Sequence, residues 1–98
     1  MKNVWLLYRS DEWLSVSKKE LLGIYEDGNK AVRDGVKDCM KQKENVGVWM
    51  KYHKDMVYTY GKRVARAKMK ESVADDLQYR CQTQGYVINY IIECHKVK

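Results

Sequence analysis

The sequence predicts a small α+β fold, an antiparallel sheet of about three strands in the order β-β-α-α-β packed against two or more helices, and three observations predict it. Two short apolar runs with strand composition open the chain, a stretch whose apolar residues recur at helical spacing follows, and a run rich in Val, Ile and Tyr closes it. With 98 residues there is room for one core, so residues 1–98 are read as a single domain.

Residues 3–9 (Asn-Val-Trp-Leu-Leu-Tyr-Arg) form the first strand. Its two sets of alternate residues, Val4/Leu6/Tyr8 and Trp5/Leu7, are both apolar, which suggests a central strand covered on both sides. Glu20 to Glu26 reads as the second strand, and Asp27-Gly28-Asn29 is turn chemistry with Asn29 placed to cap a helix. From Lys30 to Lys43 the residues Ala31, Val32, Gly35, Val36, Cys39 and Met40 keep to one helical face and the charged residues to the other. Gly35 on the apolar face points to close packing on the sheet.

Residues 45–61 satisfy neither the helical nor the strand period and are read as helical or irregular. A second helix follows from Val64 to about Cys81, because Met69, Val73, Leu77 and Cys81 fall four apart. Residues 86–97, with Ile88/Tyr90/Ile92/Cys94 on one face, make the last strand.

Val4-Trp5-Leu6-Leu7-Tyr8, then Leu21-Leu22-Gly23-Ile24-Tyr25, then Ala31 resemble the opening of small uncharacterised phage and bacterial proteins, in which a Val-Tyr-Leu-Leu-Tyr-like strand and a Leu-Ile-Gly-Val-Tyr-like strand precede a helix. Gln82 to Gly85 with Asn89-Tyr90 resembles the tail of such proteins. The resemblance implies a phage or mobile-element origin and a strand-strand-helix unit; no activity and no functional residue comes with it.

Composition excludes several classes. An apolar fraction of 45% against 33% charged residues is that of a globular protein, not a disordered one. The apolar run Val4–Tyr8 is far shorter than the roughly 20 residues that cross a bilayer, so neither a signal peptide nor a membrane span is expected. Cysteine is odd in number and forms no tight pair, which favours free thiols in a cytoplasm over a secreted disulfide framework. Cys39 and Cys81 are read as small core residues. Only Cys94 and His95 are close enough to suggest metal ligands, and neighbours on a strand point to opposite faces, so no metal or other cofactor is expected. Gly61-Lys62 lacks the rest of a phosphate loop, and the carboxylates at Asp11-Glu12 and Asp75-Asp76 have no evident catalytic partner. A non-enzymatic role is therefore expected.

Charge is the informative feature. Residues 41–70 carry nine Lys or Arg against Glu44 and Asp55, whereas the other 68 residues carry ten against eleven. Lys51, Lys54, Lys62, Arg63, Arg66, Lys68 and Lys70 are thus candidates to contact phosphate or carboxylate, and Trp49, Tyr58 and Tyr60 to stack or anchor. A solvated helix face that only keeps the chain soluble is the plainer reading of the same charges. Trp13 and Trp49 are expected to fold back as lids on the core, the alternative being exposed anchors. Three readings of function follow. The first is an accessory protein binding nucleic acid or a nucleoprotein, or an acidic protein surface that imitates one. The second is an inhibitor or adaptor acting on a host protein, in the manner of anti-defence or anti-CRISPR proteins. The third is a structural or self-associating domain, with a homodimer as one option and the oligomeric state left open.

Overall fold

A computed structural model describes residues 2–97. Strand β1 (Lys2–Ser10) is followed by a short 3-10 turn at Val16–Lys18, strand β2 (Glu20–Tyr25), helices α1 (Gly28–Lys41), α2 (Lys43–Tyr52), α3 (Lys54–Tyr60) and α4 (Lys62–Asp75), a single π-helical turn at Asp76–Arg80, and strand β3 (Asn89–Val97). The sheet is antiparallel in the order β2-β1-β3, so the first strand is indeed central.

Register decides which residues share a face. Leu7 lies between Gly23 and Ile92, Trp5 between Tyr25 and Cys94, and Arg9 between Glu20 and Tyr90. This face receives the helices: Leu7, Tyr90 and Ile92 join Ala31, Val36, Cys39, Met40, Met69, Val73 and Leu77 in one buried cluster. Gly35 makes the approach of α1 possible, since a Cβ there would stand 2.8 Å from Leu77 Cδ1 and 3.2 Å from Leu7 Cδ1.

The expected cover on both sides of β1 is not found. Val4, Leu6 and Tyr8 lie on the face away from the helices, beside Leu21, Ile24 and Ile91, and Ile24 is 63% exposed. What shielding exists comes from the loop between β1 and β2, whose Lys19 lies 4.1 Å from the Tyr8 ring centre and pairs with Glu93. A cation over an aromatic face is a favourable contact in its own right, so apolar residues on both faces of a strand do not demand a third layer.

Several boundaries shift for identifiable reasons. Asp27, not Asn29, caps α1: its carboxylate accepts the Asn29 backbone N–H at 2.9 Å. The indistinct middle is two helices, α2 and α3, broken at His53 and ended at Gly61. Cys81, expected in the core, is exposed, because the helix ends in the wide turn and Cys81 takes the left-handed conformation (φ 61°) that stops it. Cys39 is buried as expected, and burial pushes its thiol pKa up to about 11.

The last strand starts at Asn89 instead of 86, because three buried polar side chains hold the preceding residues as a loop. Asn45 of α2 donates to the Ile88 carbonyl (2.8 Å) and accepts the Ile88 N–H (3.0 Å). Asn89 accepts from the Thr83 hydroxyl (2.9 Å) and donates to the Tyr86 carbonyl (2.8 Å). Thr83 Oγ1 accepts the Tyr90 N–H at 2.9 Å. Backbone groups that a strand ladder would have paired are satisfied by side chains.

Candidate binding groove

Helices α1 and α4 run antiparallel along one flank of the molecule: the Arg66 guanidinium, early in α4, donates to the Met40 carbonyl at the end of α1 (3.1 Å). Between them lies an open groove of about 1080 Å³. Its floor is apolar, made by Val32, Val36 and Met40 at four-residue steps along α1 and by Ala67 and Ala74 of α4. Four-residue steps on a helix fall on one face, so the three α1 side chains form a continuous ridge.

The rims are basic. Arg33, Lys37 and Lys41 repeat the four-residue step one position on from the floor residues, and Arg63, Arg66 and Lys70 line the opposite wall. Among the described residues none of these six cations has a carboxylate within salt-bridge distance. The single acid on the groove, Glu71, lies 3.6 Å from Lys68.

The carboxylates of α1 are engaged elsewhere, which is why they do not neutralise the rim. Asp34 accepts from the Tyr25 hydroxyl at 2.7 Å; burial, then this contact, push the Tyr25 pKa up to about 12. Asp38 accepts from Tyr90 and from Arg9. Desolvation followed by the Asp38 contact raises the Tyr90 phenol well above its ordinary value, so it stays a proton donor to that carboxylate at physiological pH. Both acids are thus engaged by residues of the sheet and both rows of cations line the groove, with Lys37 and Lys41 bordering in addition a smaller pocket that they share with Asp34 and Asp38.

The cations expected from the middle of the chain divide between surfaces. Arg63, Arg66 and Lys70 reach the groove, while Lys62 stands at the exposed start of α4 and Lys68 lies off the groove. Lys51 near the end of α2 and Lys54 at the start of α3 lie outside the groove, and among the described residues α3 forms an arm that packs only on α2 and α4. Tyr58 (94% exposed) and Tyr60 (66%) project from that arm. Trp49 does not: it packs against the core and stacks on His53 with ring centres 3.7 Å apart, its Nε1 buried without a hydrogen-bond partner. Trp49 therefore serves as a lid, whereas Trp13, expected to do the same, is 75% exposed.

Arg33, Lys37 and Lys41 were not among the candidates read from the sequence. Their four-residue spacing is visible there, but the acids Asp34 and Asp38 interleaved with them make the segment look neutral. Compared with protein families, characterised proteins and solved structures, the chain matches none.

Proposed function

We propose that this is a non-enzymatic accessory protein, of phage or mobile-element origin and cytoplasmic, that holds an anionic partner against the α1–α4 groove. The observation that supports this is the pair of cationic rows along the two rims of one groove, which form no ion pair with a carboxylate among the described residues. Cations left without partners beside a low-dielectric floor attract an anion more strongly than the same cations dispersed over a surface. Nucleic acid, a nucleoprotein and an acidic protein surface all meet this requirement, and the exposed Tyr58 and Tyr60 add rings on which bases could stack.

The test is capture of partners from a lysate, with and without nuclease, by the wild-type chain and by the triple variant Arg33→Glu/Lys37→Glu/Lys41→Glu, over a salt series. The wild type is expected to retain a partner that salt displaces and that the variant does not hold. Equal capture by the two proteins, or retention indifferent to salt, removes the basis for this function.

A second reading, an inhibitor or adaptor acting on a host protein through apolar contacts, rests on Trp13 (75% exposed) and Val16 (84%) in the loop next to the helix-free face of the sheet. Exposed Trp is enriched at interaction hot spots. This reading predicts a complex that survives high salt and is lost in Trp13→Ala; a salt-resistant complex unaffected by that substitution eliminates it.

A further inference from the structure

The anionic partner has a more specific form, and this inference rests on the groove reading above. We propose that the groove between α1 and α4 receives an acidic amphipathic α-helix of a partner protein.

The floor carries the first part of the argument. Val32, Val36 and Met40 present a ridge at helical spacing, and opposite them α4 contributes Ala67 and Ala74. Small residues on one wall let a third helix come close, and ridges of four-residue period are what another helix interdigitates with. The ridge from Val32 to Met40 covers eight steps of roughly 1.5 Å, or about 12 Å, which is a little over two turns of a docked helix.

The rims carry the second part. An amphipathic helix lying on that floor turns its two flanks toward Arg33, Lys37 and Lys41 on one side and Arg63, Arg66 and Lys70 on the other. Acidic residues beside its apolar stripe would then meet cations on both flanks. Helix-in-groove recognition uses apolar anchors at i, i+3, i+4 and i+7, which matches the ridge.

Nucleic acid is the less suited occupant of the same space. Among the described residues no aromatic side chain lines the groove, and apart from the amide of Asn29 its uncharged lining offers neither a donor nor an acceptor to a sugar or a base edge. The tyrosines that could stack on bases, Tyr58 and Tyr60, project from α3 outside it. An apolar trough between two charged rows gives a phosphate backbone nothing that a flat basic face would not.

The experiment uses the whole chain and three labelled probes. The first is a synthetic peptide of about 14 residues with Leu at i, i+3, i+4, i+7 and Glu on both flanks. The second has the same composition in scrambled order, and the third is a single-stranded oligonucleotide of similar charge. Binding is read by fluorescence anisotropy and peptide helicity by circular dichroism. The amphipathic peptide is expected to bind at least about tenfold more tightly than the scrambled one, gaining helicity as it does. Ala67→Trp, at an exposed position, fills the trough without entering the core, and it is expected to weaken the amphipathic peptide about tenfold or more.

Equal binding of ordered and scrambled peptides, or indifference of the amphipathic peptide to Ala67→Trp, overturns the helix proposal. If in that event the oligonucleotide still binds and Arg33→Glu/Lys37→Glu/Lys41→Glu abolishes it, the groove remains a site for anions. If no probe binds at low salt, both readings fall together.

Discussion

Two connecting stretches of the chain, residues 82–88 and residues 53–61, end in opposite conditions. The first contains no regular element, yet it is held by Asn45, Thr83 and Asn89, all fully buried. The second is helical, yet α3 contains no buried residue and packs only on its neighbours α2 and α4. Regularity of the backbone is therefore a poor guide to where stability resides. A loop pinned by buried side-chain hydrogen bonds resists opening, whereas a helix with most of its surface in water opens cheaply. The locked loop supports the sheet that positions α1, and the loose arm is free to touch something else.

The largest expected effect breaks the locked side of that comparison. Asn89→Ala removes the acceptor of the Thr83 hydroxyl and the donor to Tyr86, so the Thr83 O–H and the Tyr86 carbonyl lose their partners while Thr83 Oγ1 still accepts from Tyr90. Each orphaned group costs about 1–3 kcal/mol, so a loss of about 3–5 kcal/mol in urea unfolding is expected. A loss below about 1 kcal/mol would show that water replaces the side chain and that the loop is not locked by it.

Next in size is the one conformational lock of the arm. Gly61 joins α3 to α4 with φ 89° and ψ 166°, while nothing approaches the position of a Cβ. Gly61→Ala therefore tests backbone strain free of any clash, and it is expected to cost about 1–2 kcal/mol. Because the strain is confined to the hinge, hydrogen exchange should rise in α3 and the start of α4 more than in β1. Uniform acceleration across the chain would mean that the arm and the sheet unfold as one unit and that the contrast drawn above is false.

These positions also show what could be read in the sequence and what could not. The strands and α1 were legible because their apolar residues repeat at two or at three and four, and Gly35 was recognised as a packing glycine because it falls within that repeat. The start of β3 was not legible, since Val87 and Ile88 continue a strand composition and only a residue 43 places away, Asn45, takes the Ile88 backbone out of the ladder. Cys81 was misplaced because a four-residue stripe does not reveal a helix that widens into a π turn. At the groove, the α4 half was legible as a cluster of positive charge. The α1 half was hidden, because Asp34 and Asp38 reduce its charge in sequence, while in space they accept from Tyr25 and Tyr90 and, among the described residues, form no ion pair with the groove cations.

A smaller effect concerns acid, and it too separates the sheet end from the arm. Asp11 holds the β1–β2 loop by accepting the backbone N–H groups of Ser15 (2.9 Å) and Trp13 (3.1 Å). The Ser15 backbone contact is the chief cause that lowers its pKa, and hydrogen bonding to Lys19, then to His95, lowers that of Glu93 on the neighbouring strand. A carboxylate whose folded pKa lies below its unfolded value contributes stability above the unfolded value, near 4, and loses it as pH falls through the folded one. Urea midpoints should therefore fall between about pH 5 and pH 2, and Asp11→Asn, which can still accept both N–H groups, should lessen the fall. An identical acid loss in the variant would assign the effect to other carboxylates.

The smallest expected change is on the arm itself. Among the described residues Tyr58 is the most exposed large hydrophobic side chain at 94%, and a surface residue with so little contact contributes within about 0.5 kcal/mol. Tyr58→Ala should leave the unfolding midpoint where it is, because little apolar area returns to water when the ring is removed. The substitution thus separates stability from contact with a partner: if binding to the oligonucleotide weakens while the midpoint holds, the ring is used on the ligand side alone. A midpoint that drops by about 1 kcal/mol or more would instead show the tyrosine packed onto the protein, and the arm would then be part of the stabilising core with no surface to spare for recognition.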